Sequence, residues 1–177
     1  MKLLHQLNDR EIPLCLLFNR VNHLKPISLF FAAISRLGNG VFWYVLMLML
    51  PLIYGWQALQ VSLHMALVGL AALLVYKWLK SSTERVRPYS HSDNILQNVA
   101  ALDQFSFPSG HTLHAVGFSW VLLSYYPEWF VLVVPFSILV ALSRVVLGLH
   151  YPSDVLMGAF LGAGLAQGSF CLLSCLF

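Results

Sequence analysis

The chain has 177 residues, of which 59% are hydrophobic and only 10% charged, and its mean hydropathy is +0.75. A water-soluble domain carries about 25% charged residues, so this composition excludes a chain that covers itself with water-facing side chains and places it in lipid. The formal net charge of +3 is too small to indicate a nucleic-acid partner.

Residues 1–36 mix apolar runs with Arg10, Arg20, Asn22, His23, Lys25 and Arg36, and Pro13 and Pro26 break them. A charge held at mid-membrane costs about 2.5–3.5 kcal/mol. The segment is therefore predicted to form one or two amphipathic helices on the membrane surface. Asp9, Arg10 and Glu11 interrupt the apolar run that a cleaved signal peptide needs.

Five stretches then meet or approach the roughly 20 apolar residues of a membrane span: 40–56, 59–79, 112–127, 129–147 and 153–175. Short turns at Gly55–Gln57 and Pro127–Glu128 make hairpins of the first and second spans and of the third and fourth. Trp56, Trp78 and Trp129 sit near span ends, where interfacial aromatics collect. The expected fold is all-α: a polytopic membrane helix bundle with about five transmembrane helices plus an N-terminal interfacial amphipathic helix. It forms one domain over 1–177, with 1–36 interfacial and 37–177 the transmembrane core. Cys15, Cys171 and Cys175 fit no metal-ligand spacing and read as packing or lipid-facing residues.

Two polar stretches remain, 80–111 and 143–154. They join the second span to the third and the fourth to the fifth, so counting places both on the same side of the bilayer. The first contains Lys80, Arg87 and Pro108-Ser109-Gly110-His111; the second contains Ser143, Arg144, His150 and Asp154. Three cations facing one another call for an anion, and arginine forks match phosphate oxygens in pairs. The backbone of Ser109 and Gly110, just before the third span, is placed to offer N–H groups to that anion. Pro152 suits the first turn of the fifth helix, which sets Asp154 in that turn within reach of the His150 imidazole. A carboxylate on one ring nitrogen leaves the other free to attack phosphorus, and His111 is positioned to protonate a departing oxygen. No paired carboxylates or His/Cys cluster suggests a catalytic metal, and no cofactor is expected.

At these residues the sequence resembles the type 2 phosphatidic acid phosphatase family, whose superfamily includes vanadium haloperoxidases. The family signature is K-x6-RP, then PSGH, then SR-x5-H-x3-D. Lys80 to Arg87-Pro88, Pro108 to His111, and Ser143-Arg144 through His150 to Asp154 match it in order and spacing. The resemblance covers roughly 36–175. It implies that His150 is the nucleophile, Asp154 its partner and His111 the acid, with Lys80, Arg87, Arg144 and the Ser109-Gly110 backbone binding phosphate. It further implies a metal-independent lipid phosphatase acting through a phosphohistidine. Undecaprenyl diphosphate, phosphatidylglycerophosphate, phosphatidic acid and lipid A phosphate are the implied substrates. Other members often have six spans; here the surface-lying N-terminal segment replaces the first.

Other readings accompany this one. The same intermediate could pass its phosphoryl group to a second lipid, or the chain could be a catalytically silent lipid-binding protein, against which the His150–Asp154 pair argues. A vanadate haloperoxidase is disfavoured by the five spans. Glu84 and Arg85 read as solvated loop charges and His114 as packing or support; His64 receives no role, and Asp103 and Gln104 could touch a head group, with nothing that assigns them a specific role. Gly158, Gly162 and Gly164 are expected to allow close helix packing. The partners are a lipid phosphate and membrane lipids, with no nucleic acid. The expected location is the bacterial inner membrane. Lys and Arg counts place the active loops in the cytoplasm, whereas the resemblance implies the extracytoplasmic face, which is the side adopted.

Overall fold

A computed structural model describes residues 2–176, and every regular element among them is helical. Helix α1 (Lys2–Asn19) leads through a short 3-10 turn at Arg20–His23 into α2 (Lys25–Arg36), which carries Pro26 in its first turn. Proline is pre-organised for that position and lacks only an N–H that the helix would leave unpaired. A five-residue π-helical turn, Leu37–Val41, joins α2 to α3 (Phe42–Tyr54). Gly40 adopts φ +121° inside that turn, a conformation open to glycine, and so bends the rod without ending it.

The remaining elements are α4 (Ala58–Thr83), the short α5 (Pro88–His91), α6 (Gly110–Tyr125), α7 (Phe130–Val146) and α8 (Pro152–Leu176). Among the described residues, four helical runs are long and apolar enough to cross a membrane: Lys25–Tyr54, Ala58–His91, Pro127–Val146 and Pro152–Cys175. The third expected span, 112–127, corresponds to α6, which has 16 residues and packs on α4, α7 and α8. The helical bundle agrees with the expected fold. α2 ends at Arg36, and the apolar run Lys25–Tyr54 crosses the bend at Asn39 and Gly40 into α3.

Lipid is as apolar as leucine, so helices in it associate through close packing and polar contacts between them. The α6–α8 interface is the most extensive in the bundle. A Cβ on Gly162 would stand 2.3 Å from the Leu113 carbonyl oxygen, and one on Gly158 would stand 2.6 Å from that of Ser109. These two glycines allow the backbones to touch, as expected. A Cβ on Gly164 would meet nothing within 4 Å, so this glycine plays no part in packing. Ser119 and Ser137 share a hydrogen bond of 2.8 Å between α6 and α7, and Ser62 donates to the Met47 carbonyl (2.7 Å) between α4 and α3. Trp43, Leu50, Met65, Leu122, Val133 and Phe136 fill the centre, while Leu48, Leu52 and Phe160 face outward.

Helix α1 lies against α5, α7 and α8. At its end, the buried Asn19 side chain donates to the carbonyls of Leu96 (2.9 Å) and Val146 (2.8 Å) and accepts from the Leu96 N–H (2.8 Å). Asn22 also donates to Leu96 (2.8 Å), and Asn98 donates to Ser28 (2.8 Å). These amides fasten the long loop before α6 to the α1–α2 corner and to α7.

Candidate active site

Successive helices run in opposite directions, so the end of α4, the start of α6, the end of α7 and the start of α8 meet at one end of the bundle. All three sequence motifs lie there. They surround a cavity of about 220 Å³ whose lining includes Lys80, Arg87, Gly110, His111, Arg144 and His150. Gly38, Gly40 and Trp43 from the α2–α3 kink, and Leu73 and Tyr76 from α4, complete its more apolar wall. The two polar stretches therefore converge, as counting spans requires: His150 Nε2 lies 3.4 Å from Arg87 Nη1.

Lys80 sits in the last turn of α4 and Arg144 in the last turn of α7, where helix dipoles favour cations. Arg87 caps α5. All three are buried. Arg87 Nη1 donates to the Leu149 carbonyl (2.7 Å), which ties the first motif to the third. Arg144 Nη1 donates to Ser35 Oγ, and its Nε is buried without a hydrogen-bond partner among the described residues. A buried donor on a cation without a partner is costly.

Asp103, from the loop before α6, occupies this cradle. Its carboxylate accepts from Lys80 Nζ (2.7 and 2.8 Å) and from Arg87 Nη2 (2.6 Å). Burial pushes the Asp103 carboxyl up, but Lys80 and Arg87 together hold it below the usual carboxylate range. The residue received no specific role from the sequence, yet it lines the cavity.

His150 is 1% exposed. Burial is the main cause holding its imidazole well below the ordinary histidine value; Arg87, Arg144 and Lys80 push the same way and Asp103 opposes them. The ring is therefore neutral. Arg87 approaches Nε2 as a donor, which assigns the proton to Nδ1. Nδ1 lies 3.5 Å from Asp154 Oδ2 and makes no hydrogen bond among the described residues. That separation is longer than a normal N–H···O bond. Asp154 is fully buried in the first turn of α8, and its Oδ2 accepts from the Tyr151 N–H (2.9 Å).

Ser109 is the N-cap of α6, its side chain accepting from Thr112 N–H (3.5 Å) and sharing a bond with Thr112 Oγ1 (2.9 Å). The Ser109 amide donates to the Asp154 carbonyl (3.0 Å), which couples the start of α6 to the start of α8. Gly110, in the first turn of α6, lines the cavity. His114 lines the cavity too, with Nδ1 2.8 Å from the Gly110 oxygen and Nε2 3.1 Å from that of Gly69. His64 lies elsewhere, bonded to Tyr125 (3.2 Å) and Ser169 (2.7 Å).

Arg85 corrects the sequence reading. It is not a solvated loop charge: it is 2% exposed, and its guanidinium donates to Asn8, Glu11, Ser153 and Asp154. Two of these partners lie in α1, more than 70 positions away in sequence, so only its place among the motif cations hinted at it. Among the described residues no group of three or more His, Cys, Asp and Glu side chains is arranged to hold a metal.

A buried, cation-lined cavity at one end of a polytopic helix bundle defines a membrane protein with an anion site. The chain belongs to the PAP2 superfamily, whose sequence profile matches residues 57–174. It is 31% identical over 156 residues to phosphatidylglycerophosphatase B of Bacillus subtilis, covering 80% of this chain and 66% of that one. It is 25% identical over 147 residues to an undecaprenyl-diphosphatase of Sulfolobus acidocaldarius, covering 82% of this chain and 69% of the relative. A lipid A 1-phosphatase of Rhizobium johnstonii is 32% identical over 94 residues, 51% of this chain and 38% of the relative. The same fold occurs in a transmembrane PAP2-type phosphatidylglycerolphosphate phosphatase of Bacillus subtilis, with TM-score 0.72, 24% identity and coverage of 100% of this chain and 89% of that one. It also occurs in LpxE of Aquifex aeolicus, with TM-score 0.76, 23% identity and coverage of 90% and 94%.

Proposed function

We propose that this chain is an integral membrane lipid phosphatase that works through a phosphohistidine. The observation that carries the reading is the convergence of Lys80, Arg87, Arg144, His111 and His150 on one cavity. Lys80, Arg87, Arg144 and the Gly110 amide bind the phosphoryl oxygens and stabilise the charge that spreads over them in the transition state. Asp103 between Lys80 and Arg87 supports this, because the cradle already draws in an anion.

Neutral His150 attacks phosphorus through Nε2 while the bond to the lipid oxygen breaks. His111 gives that oxygen its proton, and the lipid alcohol, or a lipid monophosphate from a diphosphate, departs. His111 then takes a proton from water as the water oxygen attacks phosphorus, and the P–N bond breaks to release inorganic phosphate and free His150. Asp154 supports the imidazole from the Nδ1 side. Neither metal nor cofactor enters the scheme. The relatives' names put undecaprenyl diphosphate, phosphatidylglycerophosphate and lipid A phosphate first among substrates to test, with phosphatidic acid beside them.

Phosphate release from a panel of these purified lipids in mixed micelles tests the reading. Turnover is expected to survive EDTA, to be inhibited by vanadate, and to pass through an acid-labile, base-stable phosphoenzyme. Failure to release phosphate from every lipid, or a phosphoenzyme on another residue, would remove it. The active end is assigned to the extracytoplasmic face.

A further inference from the structure

We infer that Arg85 and Glu11 are positioning residues for the His150–Asp154 pair, so that helix α1 forms part of the catalytic apparatus. The inference rests on the phosphohistidine reading above and concerns what holds the nucleophile in place.

Asp154 cannot fix itself. It is fully buried, and a carboxylate in such a place needs partners for both oxygens. One partner is local, the Tyr151 N–H on Oδ2. Arg85 Nη1 lies 2.6 Å from Oδ1, and the Ser106 side chain is a further partner. The imidazole is not hydrogen-bonded to the carboxylate and lies 3.5 Å away, so Asp154 supports His150 by its place rather than by a short bond. Of the groups that hold that place, Arg85 is the one that carries a charge.

Arg85 is itself held on three sides. Nε donates to Asn8 Oδ1 (2.9 Å), Nη2 donates to Glu11 Oε2 (2.7 Å), and Nη1 also donates to Ser153 Oγ (2.7 Å). Its guanidinium lies 4.0 Å over the Tyr151 ring. Glu11 in turn accepts from the Ser153 N–H (2.8 Å) and hydroxyl (2.6 Å). Ser153 immediately precedes Asp154, so Glu11 grips the same helix turn that presents the carboxylate. A flat fork with fixed directions suits this junction and a lysine does not. Neither Arg85 nor Glu11 lines the cavity, so neither touches the phosphate.

The test compares Arg85→Ala, Arg85→Lys, Glu11→Ala and Glu11→Gln with the full-length wild type in detergent–lipid micelles. It measures kcat, KM and competitive inhibition by inorganic phosphate, a ground-state anion that reports on the cation cradle. Arg85→Ala and Glu11→Ala are expected to lose kcat by about 10- to 100-fold, the scale of losing a hydrogen bond to a charged group. KM and phosphate inhibition should stay within about threefold of wild type. Glu11→Gln keeps an acceptor for Ser153 and is expected to recover part of the loss, whereas Arg85→Lys recovers little. If both alanine variants keep wild-type kcat, the inference is wrong. It is equally wrong if kcat and phosphate binding fall together, since that would mean general collapse of the site. Where Arg85→Ala does not fold, the Glu11 pair alone decides. His150→Ala serves as the control: its retained turnover would overturn the phosphohistidine reading and this inference with it. A dead His150→Ala beside fully active Arg85 and Glu11 variants would overturn only the inference.

Discussion

Burial first, and then the cations Arg87, Arg144 and Lys80, hold His150 below the ordinary value of 6.5. A group whose folded pKa is lowered in this way binds fewer protons folded than unfolded once the pH drops below 6.5. Its contribution to stability is complete above that pH and is lost as the pH falls toward the lowered folded value. The nucleophile of the free enzyme, for the same reason, stays unprotonated below 6.5. The acid limb of kcat/KM is therefore expected below that pH. A limb at or above it, in titrations on one lipid substrate, would contradict the neutral-imidazole assignment. His150→Ala should lose turnover while keeping affinity for inorganic phosphate within about threefold, because the cradle remains. Asp103→Asn should act in the opposite direction on that cradle. With the carboxylate gone, vanadate no longer competes with it for Lys80 and Arg87. Its inhibition constant is expected to fall by about 3- to 10-fold, or up to ~1.4 kcal/mol. An unchanged constant would show that Asp103 and the anion bind side by side.

Contact between α6 and α8 links the start of one helix, with His111, to the start of the other, with Asp154. The link depends on Gly162, because a larger residue would meet backbone at Leu113 that cannot turn aside. Gly162→Ala is expected to lower stability by about 1–3 kcal/mol, the usual cost of overpacking, and to reduce kcat as the two helix starts separate. Gly164→Ala, whose Cβ meets nothing within 4 Å, should leave both unchanged. Thermal unfolding in detergent and steady-state turnover would check the pair, and equal effects would refute the packing argument. Elements were legible in the sequence where apolar runs were bounded by loops: α4, α7 and α8 lie within a few residues of the stretches read for them. The join of α2 to α3 was not, since the charges up to Arg36 set the N-terminal segment apart locally, whereas the apolar run Lys25–Tyr54 continues through the bend at Gly40. The motif residues could be read because their spacing is local. Arg85 could not, because its meaning comes from Glu11 and Asn8 across a fold that no short-range pattern reveals.

Across the whole molecule, one end of the bundle gathers the chemistry and the flank meets lipid. Labelling of Ser92→Cys, in a background without Cys15, Cys171 and Cys175, tests which compartment that end faces. Modification by an impermeant maleimide in intact cells is expected, and modification only after lysis would reverse the assignment. The cavity lining has a consequence of its own. Lys80, Arg87, Arg144, His111 and His150 line it, whereas the outward faces of the helices carry apolar side chains such as Leu48, Leu52 and Phe160. Polar recognition therefore reaches a phosphoryl or diphosphoryl group and the first atoms beyond it, and an isoprenoid or acyl chain is left to apolar surroundings. Discrimination among amphiphiles thus falls on the few atoms nearest phosphorus, and the surrounding bilayer solvates everything further out. At a fixed surface density, homologues that differ only in chain length should turn over at similar rates, while a bulky substituent next to the phosphate should stop the reaction.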